Sequence, residues 1–226
     1  MKIFAISDLH LSSSGEKPMD IFGEHWKNHD QQMADNWDSV VKPEDLVLIA
    51  GDICWANKFY QAKEDIEWIS KRPGKKVLIR GNHDYWWRRE STHKMQQEMP
   101  QDIVLLQGTA IIENGIAITG TRGWRIEEQT KGKGSERVMK RELTYLENGL
   151  AAIPQDAVCK IAMLHYPPFE ENLQHNEFSK ILRKYNTDIL VYGHIHGGDY
   201  LEGNINGVKY YLTSADHLNF QPLAII

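Results

Sequence analysis

One arrangement recurs in this sequence and constrains the fold more than any other. A short apolar run that reads as a strand ends in a small cluster of Asp, Asn, His and Gly. It occurs five times: Asp8-Leu9-His10 follows the run 2–6, Gly51-Asp52 follows 45–50, and Gly81-Asn82-His83-Asp84 follows 75–80. His165 follows 158–164, and Gly193-His194-Ile195-His196 follows 188–192. Ligand sites of open α/β sheets collect beyond the carboxyl ends of the strands. These sequence-distant residues are therefore expected to meet on one rim.

The rest of the chain supports that architecture. Further apolar runs at 103–106, 110–113 and 116–119 read as strands. Helical spacing joins Met33, Trp37, Val40 and Val41, with a stop at Pro43, and joins Phe59, Ala62, Ile66 and Ile69, with a stop at Pro73-Gly74. Val138, Leu146 and Leu150 mark a third helix, and Phe178, Ile181, Leu182 and Tyr185 a fourth. Glu113-Asn114-Gly115-Ile116 and Asn206-Gly207, the latter between runs 200–205 and 208–213, signal hairpins. Loops are expected at 12–19 and 127–135, and neither is long enough to be a domain linker. The expectation is one α/β domain over residues 1–226, with packed sheets and helices outside.

Composition narrows the function classes. With 226 residues, 41% hydrophobic, the chain can bury a core without staples. Cys54 and Cys159 are the two cysteines, too few for a disulfide framework. Only a four-residue apolar run, Ile3–Ile6, precedes Asp8, too short for a signal peptide. No run approaches the roughly 20 apolar residues of a membrane span. These features lead us to expect a cytoplasmic protein. A net charge of -5 disfavours a general nucleic-acid binder, which shows a broad basic face. The exception is the segment 122–141, with seven basic against three acidic side chains. The sequence is silent on oligomeric state.

The rim residues suit a metal site. His, Asp and Asn offer nitrogen and oxygen donors without a thiolate, which fits Mn, Fe, Zn or Ni. Asp8, His10, Asp52, Asn82, His165, His194 and His196 make seven candidate ligands. One ion with an open position needs about three or four, so seven suffice for two divalent ions. A carboxylate such as Asp52 is the natural bridge. If residues 8–10 are extended, i and i+2 point the same way, so Asp8 and His10 could grip one ion together, while His194 and His196 could divide between two. Two divalent ions, two carboxylates and a bridging hydroxide sum to about +1, a centre that attracts a phosphate ester.

Together these motifs, in this order, resemble the calcineurin-like metallophosphoesterase superfamily. The resemblance implies two β-sheets packed face to face with helices on the outer sides, an α/β/β/α sandwich. It implies Asp8, His10, Asp52 and His196 on one metal, and Asp52, Asn82, His165 and His194 on the other. His83 is then expected outside the metal shell, protonating the leaving group or supporting a phosphoryl oxygen, with Asp84 orienting it. The reaction implied is hydrolysis of a phosphodiester, or a phosphomonoester, by a hydroxide on the dinuclear centre. Protein phosphatases of this superfamily carry Asp-Arg-Gly after the second motif and Glu after Asn-His. Here the second motif reads Gly51-Asp52-Ile53-Cys54-Trp55-Ala56-Asn57, and the residue after Asn82-His83 is Asp84, so the resemblance is to the bacterial phosphodiesterase branch, with a small phosphate ester as substrate. A nuclease acting on DNA or RNA ends and a non-catalytic protein-binding scaffold are the alternatives.

Aromatic residues crowd the motifs. Trp55 and Trp124 are candidate walls for a base, sugar or acyl group, and Arg122 and Arg125 candidate phosphate contacts. Trp86 and Trp87 are expected in the core. His25 and His29 are expected on a surface or lid, and Cys54, lacking a basic partner, as a buried neighbour of Asp52.

Overall fold

A computed structural model describes residues 1–13, 17–126 and 132–226. The expected loops at 12–19 and 127–135 lie partly outside the described residues, as do Glu127, Glu128 and Lys131 of the basic segment.

Eleven strands are described, in two sheets. The first holds β1 (Ile3–Ile6), β2 (Leu46–Ile49), β3 (Lys75–Ile79), β4 (Ile103–Leu106) and β11 (Leu223–Ala224), in the order β11-β1-β2-β3-β4. The second holds β5 (Ala110–Glu113), β6 (Ile116–Thr121), β7 (Cys159–Leu164), β8 (Ile189–Tyr192), β9 (Gly203–Ile205) and β10 (Val208–Leu212), in the order β5-β6-β7-β8-β10-β9. The central pairs are parallel, and the edge pairs β1–β11, β5–β6 and β9–β10 are antiparallel. The β5–β6 and β9–β10 pairs are the two hairpins signalled by Asn-Gly.

The alternation along each strand creates the layers. Ile3 and Ala5 of β1, with Leu46, Leu48, Val77 and Ile79, meet Ile118, Ile161, Met163 and Val191 between the sheets. Phe4, Ile6, Val47, Ile49 and Leu78 face the other way. They pack on Met33 and Trp37 of α1 (His29–Val40) and on Ala62, Ile66 and Ile69 of α2 (Phe59–Ser70). Behind the second sheet, Ala162, Leu164, Leu190 and Tyr192 pack on Leu146 and Leu150 of α4 (Lys133–Ala151) and on Phe178 and Leu182 of α5 (Glu177–Lys184). Asn176 caps α5, its side chain accepting from Phe178 N at 3.0 Å. The short α3 (Thr92–Gln96) and the two-residue β11 have no sequence signal, because neither is long enough to show a period. No described helix is long and apolar enough to cross a membrane.

Candidate metal centre

All five clusters fall immediately beyond their strands. β1, β2 and β3 deliver Asp8, His10, Asp52, Asn82 and His83 from one sheet. β7 and β8 deliver His165, His194 and His196 from the other. The chain is not extended there, contrary to the i, i+2 expectation. Asp8 (φ 56°), His10 (φ 46°), Asp52 (φ 52°) and His194 (φ 73°) are all left-handed. Turns, not strand alternation, aim these side chains. Such backbones cost on the order of 1–3 kcal/mol each and persist where surrounding bonds over-determine them. Asp8 N donates to Gly51 O at 2.9 Å, and His10 N to Asp52 O at 3.0 Å. His194 N donates to Asp8 Oδ2 at 3.0 Å.

Two motif glycines are explained by close approach. A Cβ on Gly81 would lie 2.1 Å from Asp52 Oδ1, and one on Gly193 2.4 Å from Asp8 Oδ2. Any side chain there would displace a carboxylate.

The donor atoms form two overlapping groups, each compact enough to hold an ion. The donor atoms of Asp8, His10 and His196 lie within 4.8 Å of one another, as do those of Asp8, Asp52 and His165. Asp52 Oδ2 sits between the groups, 3.9 Å from His10 Nε2 and 3.5 Å from His165 Nε2. Asn82 Oδ1 extends the second group, 2.7 Å from His165 Nε2 and 3.0 Å from His194 Nδ1.

Outer contacts set which ring nitrogens face inward. His165 Nδ1 lies 3.0 Å from the Ala50 carbonyl, which can only accept, so Nδ1 carries the proton and Nε2 presents a lone pair. His196 Nδ1 donates to Asp216 Oδ1 at 3.0 Å, turning Nε2 inward. His10 Nε2 meets His196 Nε2 at 3.2 Å, while His10 Nδ1 is buried without a partner. Either tautomer of His10 leaves a buried nitrogen unsatisfied.

Electrostatics point the same way. Burial holds His10 well below its ordinary pKa, and the neighbouring His196, His83 and His165 add to the shift. Burial takes His165 to about 4, against the opposing charge of Asp8, and His194 to about 2. These imidazoles are neutral at pH 7, the form that binds metal. Burial, then the charges of Asp8 and Asp84, push Asp52 well above the carboxylate range. His196 is the exception: burial lowers it, but the Asp216 bond and the Asp8 charge raise it overall. Buried carboxylates crowded among neutral imidazoles are a site lacking positive charge, which divalent ions would supply.

Several expectations change. Asp84 was expected to orient His83. Instead its buried carboxylate accepts from Ile53 N, Cys54 N, Gly81 N and Trp86 Nε1 at 2.7–3.3 Å. It clamps the Asp52 loop to the Asn82 loop, and His83 Nδ1 lies 3.2 Å from the Tyr85 hydroxyl. His29 is no surface residue: it is buried, and its Nε2 lies 3.1 Å from Leu9 O. Trp124 does not line the aromatic cleft. Its Nε1 donates to Ser135 Oγ at 2.7 Å, and its ring lies 5.2 Å from Tyr166. Trp86 and Trp87 are buried in the core, and burial pushes the Cys54 thiol up.

Other expected residues line the site. His83, 33% exposed at its side chain, has Nε2 4.0 Å from Asp52 Oδ2 and its ring 4.5 Å from Trp55. Trp55 stacks on His10 at 4.9 Å. An open cleft of about 320 Å³ runs outward from His10, His83 and His196, walled by Met19, Phe22, Trp26 and Trp55. On the other flank, Arg125 lies 3.7 Å from Glu171, and the Arg122 guanidinium lies 4.6 Å from the Trp124 ring centroid.

Sequence reasoning missed Asp216, Ser7 and Ser214. The two hydroxyls donate to Asp8 Oδ2 at 2.6 and 3.0 Å. The signal for Asp216 was present: it lies just beyond β10, which pairs in parallel with β8. The strand-end rule applies there too, whereas the Asn206-Gly207 hairpin signal marks the other end of β10.

The family model for calcineurin-like phosphoesterases matches residues 1–198. The chain belongs to this family. Phosphoesterase hydrolysis with bound divalent metal is its general chemistry, and the Asp/His groups described above could hold such metal. The Gene 66 protein of Mycobacterium phage L5 is 41% identical over 78 residues, which cover 34% of this chain and 37% of that protein. The Gene 66 protein of phage D29 is 34% identical over 100 residues, covering 44% and 45%. The chain thus matches less than half the length of these curated relatives. Among solved structures, the phosphopantetheinyl hydrolase PptH of Mycobacterium tuberculosis aligns with TM-score 0.59 at 18% identity, covering 94% of this chain and 88% of that one. GAP50, the anchor in the inner membrane complex of Plasmodium, aligns with TM-score 0.58 at 11% identity, covering 96% and 72%. At such identities the likeness is one of fold.

Proposed function

We propose that this phosphoesterase hydrolyses a phosphodiester at a centre of two divalent transition-metal ions, Mn, Fe, Zn or Ni. Asp8, His10, Asp52 and His196 would hold one ion, and Asp52, Asn82, His165 and His194 the other. The observation that carries this reading is the position of Asp52 Oδ2 between His10 Nε2 and His165 Nε2, at 3.9 and 3.5 Å. Bound there, the ions would activate water at neutral pH and polarise phosphoryl oxygens.

The chain's own residues prepare the site. Asp52 Oδ1 is engaged by His83 N at 2.8 Å, leaving Oδ2 for the shared position. Ala50 O and Asp216 fix the His165 and His196 tautomers, so no ring must turn before binding. His83 faces the cleft with Nε2 near the centre and is our candidate for giving a proton to the departing ester oxygen. The cleft beside His83 has room for the substituent on the leaving oxygen, and the choice of a diester rests on the resemblance of the motifs to the phosphodiesterase branch.

The scaffold alternative has a precedent for the fold in GAP50. Here every one of the seven candidate donors is present and convergent, which favours catalysis. The net charge of -5 argues against a nuclease. The test is a panel of phosphomonoesters, phosphodiesters, cyclic nucleotides and oligonucleotides, assayed with Mn, Fe, Zn and Ni on protein purified without chelator. Faster hydrolysis of bis(p-nitrophenyl) phosphate than of p-nitrophenyl phosphate, abolished by chelator and restored by one of these ions, is expected. No turnover of any ester with any ion would refute the proposal.

A further inference from the structure

The rim carries a second charged cluster on the flank away from the aromatic cleft. Arg80 directly follows β3 and Arg122 directly follows β6, strands of different sheets. The sheets touch at this point, since a Cβ on Gly120 would lie 2.7 Å from Ile79 Cγ2. Two strand ends thereby bring two guanidiniums together. Arg122 is also tied to the candidate metal centre, because its carbonyl accepts from His165 N at 3.0 Å and Tyr166 N at 2.9 Å. Arg141 joins from α4.

Among the described residues the cluster is short of negative charge. The near carboxylate described there, Glu142, is buried and shared between Thr121 Oγ1 at 2.5 Å and Arg141 Nη2 at 3.2 Å. Among the described residues, Arg80 and Arg122 make no ion pair or side-chain hydrogen bond. The Nε atoms of Arg80, Arg122 and Arg141 are buried without an acceptor. Glu142, Arg80, Tyr166 and Arg141 are the ionisable neighbours of the Arg122 guanidinium. Buried guanidinium N–H groups left without acceptors are costly and rarely retained without use. Guanidinium forks match the oxygens of a phosphoryl group, two at a time.

We propose that Arg80, Arg122 and Arg141 form an oxyanion subsite beside the candidate metal centre that takes a second phosphoryl group of the substrate. The inference rests on the phosphodiester reading above and extends it to substrates with two phosphoryl groups. The second group is either the neighbouring half of a pyrophosphate or a separate phosphate on the organic part.

The test uses calorimetry on the metal-loaded full chain, with methylphosphonate, methylenediphosphonate and propane-1,3-bisphosphonate as probes. At least one bisphosphonate should bind the wild type 10-fold or more tighter than methylphosphonate. The short linker wins if the substrate is a pyrophosphate, and the long linker if its phosphates are separated. In Arg80→Gln and Arg122→Gln that advantage should fall to within about 2-fold, with methylphosphonate affinity retained in Arg80→Gln. Arg80→Lys should keep part of it. The thermal midpoints of the ligand-free Gln variants should equal or exceed that of the wild type, because mutual repulsion is relieved. A lowered midpoint would assign the arginines to structure and overturn the proposal, as would an unchanged bisphosphonate advantage. Failure of methylphosphonate to bind the loaded wild type would instead count against the phosphodiester reading itself.

Discussion

The two flanks of the rim hold similar donors in opposite surroundings. On one side His10 and His196 face Trp26, Trp55, Met19 and Phe22 across a mostly apolar cleft, with Asp216 in its lining and Lys17 Nζ 4.5 Å over the Trp55 ring. On the other side His165 and His194 adjoin Tyr166, Arg122 and Arg125, and burial and cationic neighbours lower both imidazoles. The first flank suits an apolar substituent and the second an oxyanion. A substrate spanning both would be oriented before any chemistry. The comparison also places His83 on the apolar side, where our reading puts the leaving group.

Five substitutions can break this comparison or sharpen it. The largest effect is expected from Asp52→Asn, because Asp52 is common to both flanks. Elemental analysis should show reduced metal at both positions, and kcat/KM should fall by roughly three orders of magnitude, the several kcal/mol a metal's charge supplies. His10→Ala should empty chiefly one position. Metal-free Asp52→Asn should be at least as stable to heat as the metal-free wild type, since a crowded buried carboxylate is removed. Full metal content in both variants would remove Asp52 from the bridging position.

Next is His83→Ala. It should retain both metals and lose about 10²–10⁴ in kcat on alkyl esters. The loss should be smaller on nitrophenyl esters, whose leaving group departs without a proton. Equal losses on both would assign His83 to stabilising charge in the transition state.

A smaller effect is expected from Asp216→Asn, which weakens the acceptor that holds His196. Metal affinity on the cleft flank should drop by about 10–100-fold, measured by competition with a chromophoric chelator, with the His165 flank unaffected. Equal weakening on both flanks would mean that the two are coupled more tightly than their geometry suggests. The smallest effect belongs to Trp55→Ala. It should raise KM for an aryl diester by about 2- to 10-fold, as expected for losing about 0.5–1.5 kcal/mol of aromatic contact, while leaving KM for a dimethyl ester unchanged. An equal rise for both esters would argue that Trp55 acts through His10, on which it stacks.

Much of the fold was legible because its signals are local. Val, Ile and Leu runs bounded by Gly, Asp or Pro announced the longer strands, and Asn114-Gly115 and Asn206-Gly207 announced both hairpins. What escaped was short or non-local. β11 is two residues paired to β1 from the far end of the chain, a match no window along the sequence contains. Trp124 and Arg122 share a neighbourhood with motif residues in sequence, yet the Ser135 contact and the Trp124 ring turn them toward α4 and away from the cleft.

The sequence by itself determined which groups reach the rim. Strand ends carrying Asp8, Asp52, Asn82, His165 and His194 can gather only at the carboxyl edge of parallel strands, whatever the loops do. Tertiary structure alone decided how those groups point. The left-handed turns at Asp8, His10, Asp52 and His194 exist because bonds from other strands hold them there. The same holds for Asp84, which sequence adjacency assigned to His83. Four donors from both loops, Ile53 N, Cys54 N, Gly81 N and Trp86 Nε1, took its carboxylate inward instead. A side chain's direction is set by whichever partners are near it in space, and for a buried carboxylate unsatisfied backbone N–H groups outcompete a half-exposed imidazole that water already solvates.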